Sequence, residues 1–170
     1  MERSWILVGM MGAGKSSIAS ALARRTGRGL VDTDKLIEHR LGRSIPQLFR
    51  VYGEEAFRAH ETAILRDLQP GHTVISTGGG IVLRPENWLE LRRLGTVLYL
   101  NVDESVLQQR VGGGRRRRPL LDHEDWEERL AQLLLARRSL YEQADLHLEV
   151  GTMGVEETVE RVQEMFEGAS

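Results

Sequence analysis

Gly9-Met10-Met11-Gly12-Ala13-Gly14-Lys15-Ser16 is the stretch on which the fold turns. Before it stands a short apolar run, Trp5-Ile6-Leu7-Val8, and after it an alanine- and leucine-rich segment, residues 16–25, that stops at Gly27. The run predicts a buried strand and the segment a helix with a glycine C-cap. A glycine-rich turn in that setting, ending in Gly-Lys-Ser, fits the phosphate-binding pattern G-x-x-x-x-G-K-[ST]. Glycines let backbone N–H groups turn inward around phosphates, and the helix N-terminus adds positive potential there. Gly12, Ala13, Gly14 and Ser17 are therefore candidates to surround the phosphates of ATP. Lys15 reaches for the β- and γ-phosphates, and the Ser16 hydroxyl is placed to ligate Mg²⁺. The plainer reading, a glycine-rich turn ahead of an ordinary helix, does not require both flanks to be right, and both are.

Working outward, strand-like and helix-like segments alternate to the end of the chain. Residues 30–31 predict a second strand running into Asp32-Thr33-Asp34. Residues 73–76 predict a third, ending in Gly78-Gly79-Gly80; residues 96–102 a fourth; residues 146–150 a fifth. Between them, Ser44-Ile45-Pro46-Gln47 has capping-box spacing, and helices are predicted over 54–68, 85–94, 124–143 and 155–166. Alternation of this kind argues for an α/β fold, a parallel sheet covered by helices on both faces. Ligands in such sheets bind beyond the carboxyl ends of the strands, where the Gly9 loop, the Asp32 pair and the glycine triplet should meet.

Bulk composition narrows the function. The chain's 170 residues fit one domain spanning residues 1–170. With 41% apolar and 28% charged residues it reads as globular rather than disordered. A formal net charge of −2 gives no global attraction to nucleic acid or membrane, so neither is an expected partner and any anion must be held locally. The absence of cysteine excludes disulfides, thiolate metal sites and cysteine nucleophiles, and suits a reducing cytoplasm. The apolar run at 5–8 is too short for a signal h-region or a membrane span. The expectation is a cytoplasmic monomer.

Several further residues carry candidate chemistry. Asp32 and Asp34 are two apart; on an extended segment both carboxylates point the same way, one toward Mg²⁺ and one toward a substrate hydroxyl. The alternative is that Asp34 caps the following helix. Arg58 and Glu61 are three apart on a predicted helix, and an arginine fork suits a carboxylate substrate. The glycine triplet suggests that a ligand approaches the backbone closely. The third strand offers no carboxylate for a metal, which leaves Ser16 and Asp32, while Asp103 reads as a helix cap. Arg115 to Arg118, set between three glycines and Pro119, suggests a mobile lid over residues 112–123 that closes on the nucleotide. The residues alone leave open which arginine acts there, and whether Arg137 or Arg138 faces the site.

As a set, these motifs resemble the shikimate kinase family from residue 5 to about residue 141. The matching elements are the P-loop, Asp32-Thr33-Asp34, Gly42-Arg43-Ser44-Ile45, Gly53-Glu54 with Phe57-Arg58 and Glu61, the glycine triplet, Arg118-Pro119-Leu120-Leu121, and Arg138 before Leu140-Tyr141. The resemblance implies the nucleoside monophosphate kinase-like fold: three layers, α/β/α, around a five-stranded parallel sheet in the order 2-3-1-4-5. It implies transfer of phosphate from ATP to the 3-hydroxyl of shikimate, on the route to chorismate and the aromatic amino acids. By the same resemblance Lys15, Asp34 and Arg118 are catalytic; Arg58 and Arg138 hold the substrate carboxylate; Glu61, Gly78, Gly79 and Gly80 line the substrate. Asp32 holds Mg²⁺ through water, and Arg110 stacks near adenine. The loop departs from the family in having four consecutive arginines where one is usual. A gluconate-type kinase shares the P-loop, and a non-catalytic nucleotide switch would lack Asp34, Arg58 and Glu61.

Overall fold

The computed structural model describes residues 3–112 and 118–169. Five parallel strands form one sheet in the order β2-β3-β1-β4-β5. They are β1 (Ser4–Val8), β2 (Gly29–Asp32), β3 (Thr73–Ser76), β4 (Gly95–Asn101) and β5 (Leu146–Glu149). The helices are α1 (Lys15–Thr26), α2 (Thr33–Leu41), α3 (Ile45–Asp67), α4 (Pro85–Leu94), α5 (Glu104–Gly112), α6 (Trp126–Tyr141) and α7 (Val155–Gly168). Short 3₁₀ turns follow β3 at Ile81–Leu83 and precede α6 at Pro119–Leu121.

Central β1 is buried at all five residues, as a strand covered on both faces must be. Ile18, Ala19 and Leu22 of α1, Leu91 of α4 and Val162 and Phe166 of α7 join it in one continuous core. Trp5 stacks on Phe166 at 4.9 Å, tying the last helix to the first strand. A second, smaller core of Ile37, Leu48, Phe57 and Ile64 joins α2 to α3 beyond the sheet edge. Ser44 and Gln47 close the expected capping box on α3, and Gly53 (φ 80°, ψ 171°) breaks that helix in two where separate helices were expected.

Register sets the site. Asp32 of β2 pairs with Ser76 of β3, and Ser76 pairs with Leu7 of β1. The carboxyl ends of three adjacent strands therefore finish in one row, with the P-loop leaving β1 directly above it. One local expectation fails here. The chain turns helical at Thr33, so Asp32 and Asp34 are not two residues of an extended segment. Asp32 is the cap: its Oδ1 accepts from Lys35 N at 3.1 Å. Asp34, relieved of that role, lies in the first turn of α2.

Candidate active site

Gly12 and Gly14 of the P-loop adopt φ of 82° and 94°, a region open to glycine and strained for other residues. No side chain caps α1 and no acidic residue occupies its first turn, so the helix N-terminus is left for an anion. Lys15 is buried, and its Nζ donates to the carbonyls of Gly9 at 2.7 Å and Met10 at 2.9 Å. Burial pulls its pKa down to about 8, against the opposing charge of Asp34. Beside it, Ser16 Oγ donates to Asp32 Oδ2 at 3.0 Å and lies 3.4 Å from Ser76 Oγ. Among the described residues no group of three or more His, Asp or Glu side chains forms a metal cage. A hydroxyl beside a carboxylate is the hard-oxygen pair that suits Mg²⁺ carried in with phosphates rather than caged by protein.

Next to this loop lies a cavity of about 190 Å³. Its polar lining is Asp34, Arg58, Glu61, Arg118 and Arg137, over a floor made by the glycine triplet. Met11, Ile45, Phe49, Phe57, Pro119 and Leu120 form the apolar wall. Arg58 and Glu61 bond as their spacing predicts, Nη1 to Oε2 at 2.8 Å, and Glu54 accepts from the other Arg58 nitrogen at 3.1 Å. Four polar atoms around the cavity are buried without a partner: Asp34 Oδ1, Arg58 Nε, Glu61 Oε1 and Arg137 Nη1. Buried polar groups are nearly always satisfied, so this concentration marks the place of a polar ligand.

The charges are tuned accordingly. Burial raises the pKa of Asp34 to about 6, with the neighbouring Asp32 charge pushing the same way. Burial raises Glu61 to about 7 against the pull of Arg58. For Arg58 burial works against the charge, but Glu61 and Glu54 overcome it and hold the guanidinium above its ordinary value. Arg118 is lowered by burial. Perturbed groups gathered in one cleft are the mark of a functional site.

The triplet's glycines answer to sterics. None of the three has a positive φ. A Cβ on Gly78 would lie 2.6 Å from Asp34 Oδ1, and one on Gly80 would lie 2.1 Å from Arg58 Nη1. The space beside the backbone was expected to belong to a ligand; at Gly78 and Gly80 the protein's own charged groups occupy it. Thr33 Oγ1 accepts from Gly78 N at 3.2 Å and fixes the turn against α2.

Arg138 is a correction. It was expected at the substrate carboxylate, but it is exposed and lies outside the cavity, in a separate surface pocket with Glu104 and Glu128, and Arg137 takes the cavity position. The buried residues of α6 are Leu130, Leu134, Arg137 and Tyr141, a helical stripe that includes Arg137 and passes Arg138 by. That spacing was the signal in the sequence. Arg110 and Ser17 line a separate cleft with Gly14, Met153 and Val155, and Arg110 donates to the Gly12 and Ala13 carbonyls at 3.3 and 3.2 Å. Of the expected lid, residues 113–117 lie outside the described residues; Arg118 reaches the cavity, and Leu121 is anchored in the core.

Comparison with known proteins agrees with this geometry. The family model for shikimate kinase matches residues 11–167. A shikimate kinase from Thermosynechococcus vestitus is 47% identical over 90% of this chain and 83% of its own length. One from Symbiobacterium thermophilum is 42% identical over 95% and 97%. The solved shikimate kinase of Acinetobacter baumannii in complex with shikimate superposes with a TM-score of 0.94 at 32% identity, covering 100% of this chain and 96% of that one. A gluconokinase from Sinorhizobium meliloti shares the fold at a TM-score of 0.59 and 19% identity. On the P-loop, the acidic and arginine-lined cavity beside it, and relatives matched over nearly their whole length, this chain belongs to the shikimate kinase family.

Proposed function

We propose that this protein transfers the γ-phosphoryl group of ATP to the 3-hydroxyl of shikimate, giving shikimate 3-phosphate and ADP. The observation that carries the reading is the cluster of unpartnered Asp34, Arg58, Glu61 and Arg137 atoms around one cavity beside the P-loop. Two arginines and two carboxylates suit a small ligand with one carboxylate and several hydroxyls. Arg58 and Arg137 hold the carboxylate, the former kept in place by Glu61, and the glycine triplet is the floor under the ring.

The transition state of phosphoryl transfer is loose, so the protein contributes mainly position and charge. Lys15 exchanges its two carbonyl partners for phosphate oxygens, whose negative charge favours the protonated ammonium. Arg118 brings a second cation to the transferring group, with residues 112–123 as a lid that excludes water. Asp34, with a pKa near 6, orients the acceptor hydroxyl and takes its proton late in the transfer. Ser16 and Asp32 are the residues for Mg²⁺, which when bound neutralises charge on the phosphates. Arg110 borders the adenine. The protein acts as a cytoplasmic monomer on this reading, without nucleic-acid or membrane partners; no helix among the described residues is long and apolar enough to cross a membrane.

A coupled assay for ADP release tests the reading. Turnover is expected with ATP, Mg²⁺ and shikimate, and none above background with gluconate. Turnover with gluconate and not with shikimate would overturn it.

A further inference from the structure

Tyr141 ends α6 fully buried, one helical turn after Arg137. Its ring stacks on Tyr99 at 5.1 Å, a packing role that phenylalanine would serve equally well. The hydroxyl is what needs explaining, since burying one costs free energy unless it is bonded. It donates to Gly79 O at 2.6 Å, lies 3.7 Å from Met10 Sδ in the P-loop, and is close enough to the Arg137 guanidinium to feel its charge. Gly79 is itself close to the P-loop: a Cβ there would sit 3.3 Å from Met11 N and 3.7 Å from Arg137 Nη1. One hydroxyl therefore ties the end of α6 to the cavity floor, beside the phosphate loop and beside the arginine whose Nη1 is buried without a partner. Burial also pushes the Tyr141 pKa up, so the hydroxyl keeps its proton and its donor role at any working pH.

We infer that Tyr141 is a positioning residue for the acceptor substrate: its hydroxyl holds the Gly79 carbonyl, and with it the cavity floor beside Arg137, so that a carboxylate meets a floor and a guanidinium already in place. The inference deepens the shikimate reading and rests on it. Pre-organisation of this kind lowers the entropy lost on binding, so its removal weakens acceptor binding selectively.

Tyr141→Phe tests it, because the variant keeps the ring stack and deletes only the hydroxyl. Tyr99→Phe is the control: the Tyr99 hydroxyl donates to Asn101 Oδ1, away from the cavity. Steady-state constants for both substrates, melting temperatures and direct calorimetric titration of shikimate are to be measured for wild type and both variants. Tyr141→Phe is expected to raise KM for shikimate and weaken its calorimetric affinity about tenfold. KM for ATP should stay within about twofold, and Tyr99→Phe should leave both constants unchanged. Unaltered shikimate constants in Tyr141→Phe would overturn the inference, as would parallel rises for both substrates accompanied by a collapse in melting temperature, which would make the hydroxyl merely structural. Absence of turnover and of shikimate binding in the wild type would instead overturn the parent reading, and this inference with it.

Discussion

Arg137 and Arg138 are neighbours in sequence with opposite fates, and the difference is measurable. Arg137 is 3% exposed with an unpartnered Nη1, whereas Arg138 lies on the outer side of α6. Arg137→Ala should weaken shikimate binding by about 2–5 kcal/mol, the range for removing a desolvated charged partner. Arg138→Ala should change the shikimate KM by less than about twofold, as surface charges contribute little. Equal effects in titrations of the two variants would refute the assignment. Glu61 supplies a second residue-level prediction. Its pKa is raised by burial from 4.5 to about 7, so the folded ligand-free protein binds a proton there that the unfolded chain has released. Stability from this group is complete below about pH 4.5 and is lost as pH rises toward 7. Asp34 acts in the same direction between 3.8 and about 6. Between about pH 5 and 7.5 the ligand-free wild type should therefore lose melting temperature relative to Glu61→Gln, whose side chain does not titrate. A gap that stays constant across that window, measured by calorimetry, would show that Glu61 ionises normally.

Among the elements, the turn joining β3 to the Ile81–Leu83 helix does most to shape the cavity. It is narrow because Asp34 of α2 and Arg58 of α3 press against it from outside. Gly80→Ala places a methyl group inside the van der Waals envelope of the Arg58 guanidinium, nearest the Nη1 that donates to Glu61, while Glu54 holds Nη2. The fold should survive, because the clash falls on the end of a side chain, but the guanidinium must leave its place. The expected result is a rise of about tenfold or more in KM for shikimate, on the scale of one displaced charged hydrogen bond, with a much smaller change for ATP. A crystal structure of the variant showing Arg58 undisturbed would refute the steric account. The α3 helix behaves as two pieces for a similar local reason: the capping box at Ser44 starts one, and Gly53 starts the other, carrying Arg58 and Glu61 to the cavity.

At the scale of the whole molecule, the sheet, its covering helices and the site depend on one another through β1. Its amino end carries Trp5, stacked on Phe166, and its carboxyl end runs into the P-loop. Phe166→Ala should cost about 3–5 kcal/mol, the usual range for emptying a buried aromatic site. Because Phe166 packs at the far end of the strand, KM for both substrates should stay within about twofold below the melting transition; a selective loss of shikimate affinity would show that the two ends of the sheet are coupled. The order of elements, the P-loop and its Lys15–Ser16 pair, and the Arg58–Glu61 bond were all legible in the sequence, because each depends on periodicity or spacing within one element. Arg137 was missed in favour of Arg138, although its place in a stripe with Leu130, Leu134 and Tyr141 carried the signal. What the chain does at Asp32–Asp34 was not, since an extended pair and a capped helix start share the same letters. Nor was the purpose of the glycine triplet, which is set at Gly78 and Gly80 by side chains 17 to 44 residues upstream, or the bond from Tyr141 to Gly79, which spans 62 residues. Local periodicity determined the parts of this protein and the phosphate loop. Only tertiary packing decided which charged groups would be buried together with polar atoms left over, because that depends on the register of three parallel strands and the approach of two helices to one turn.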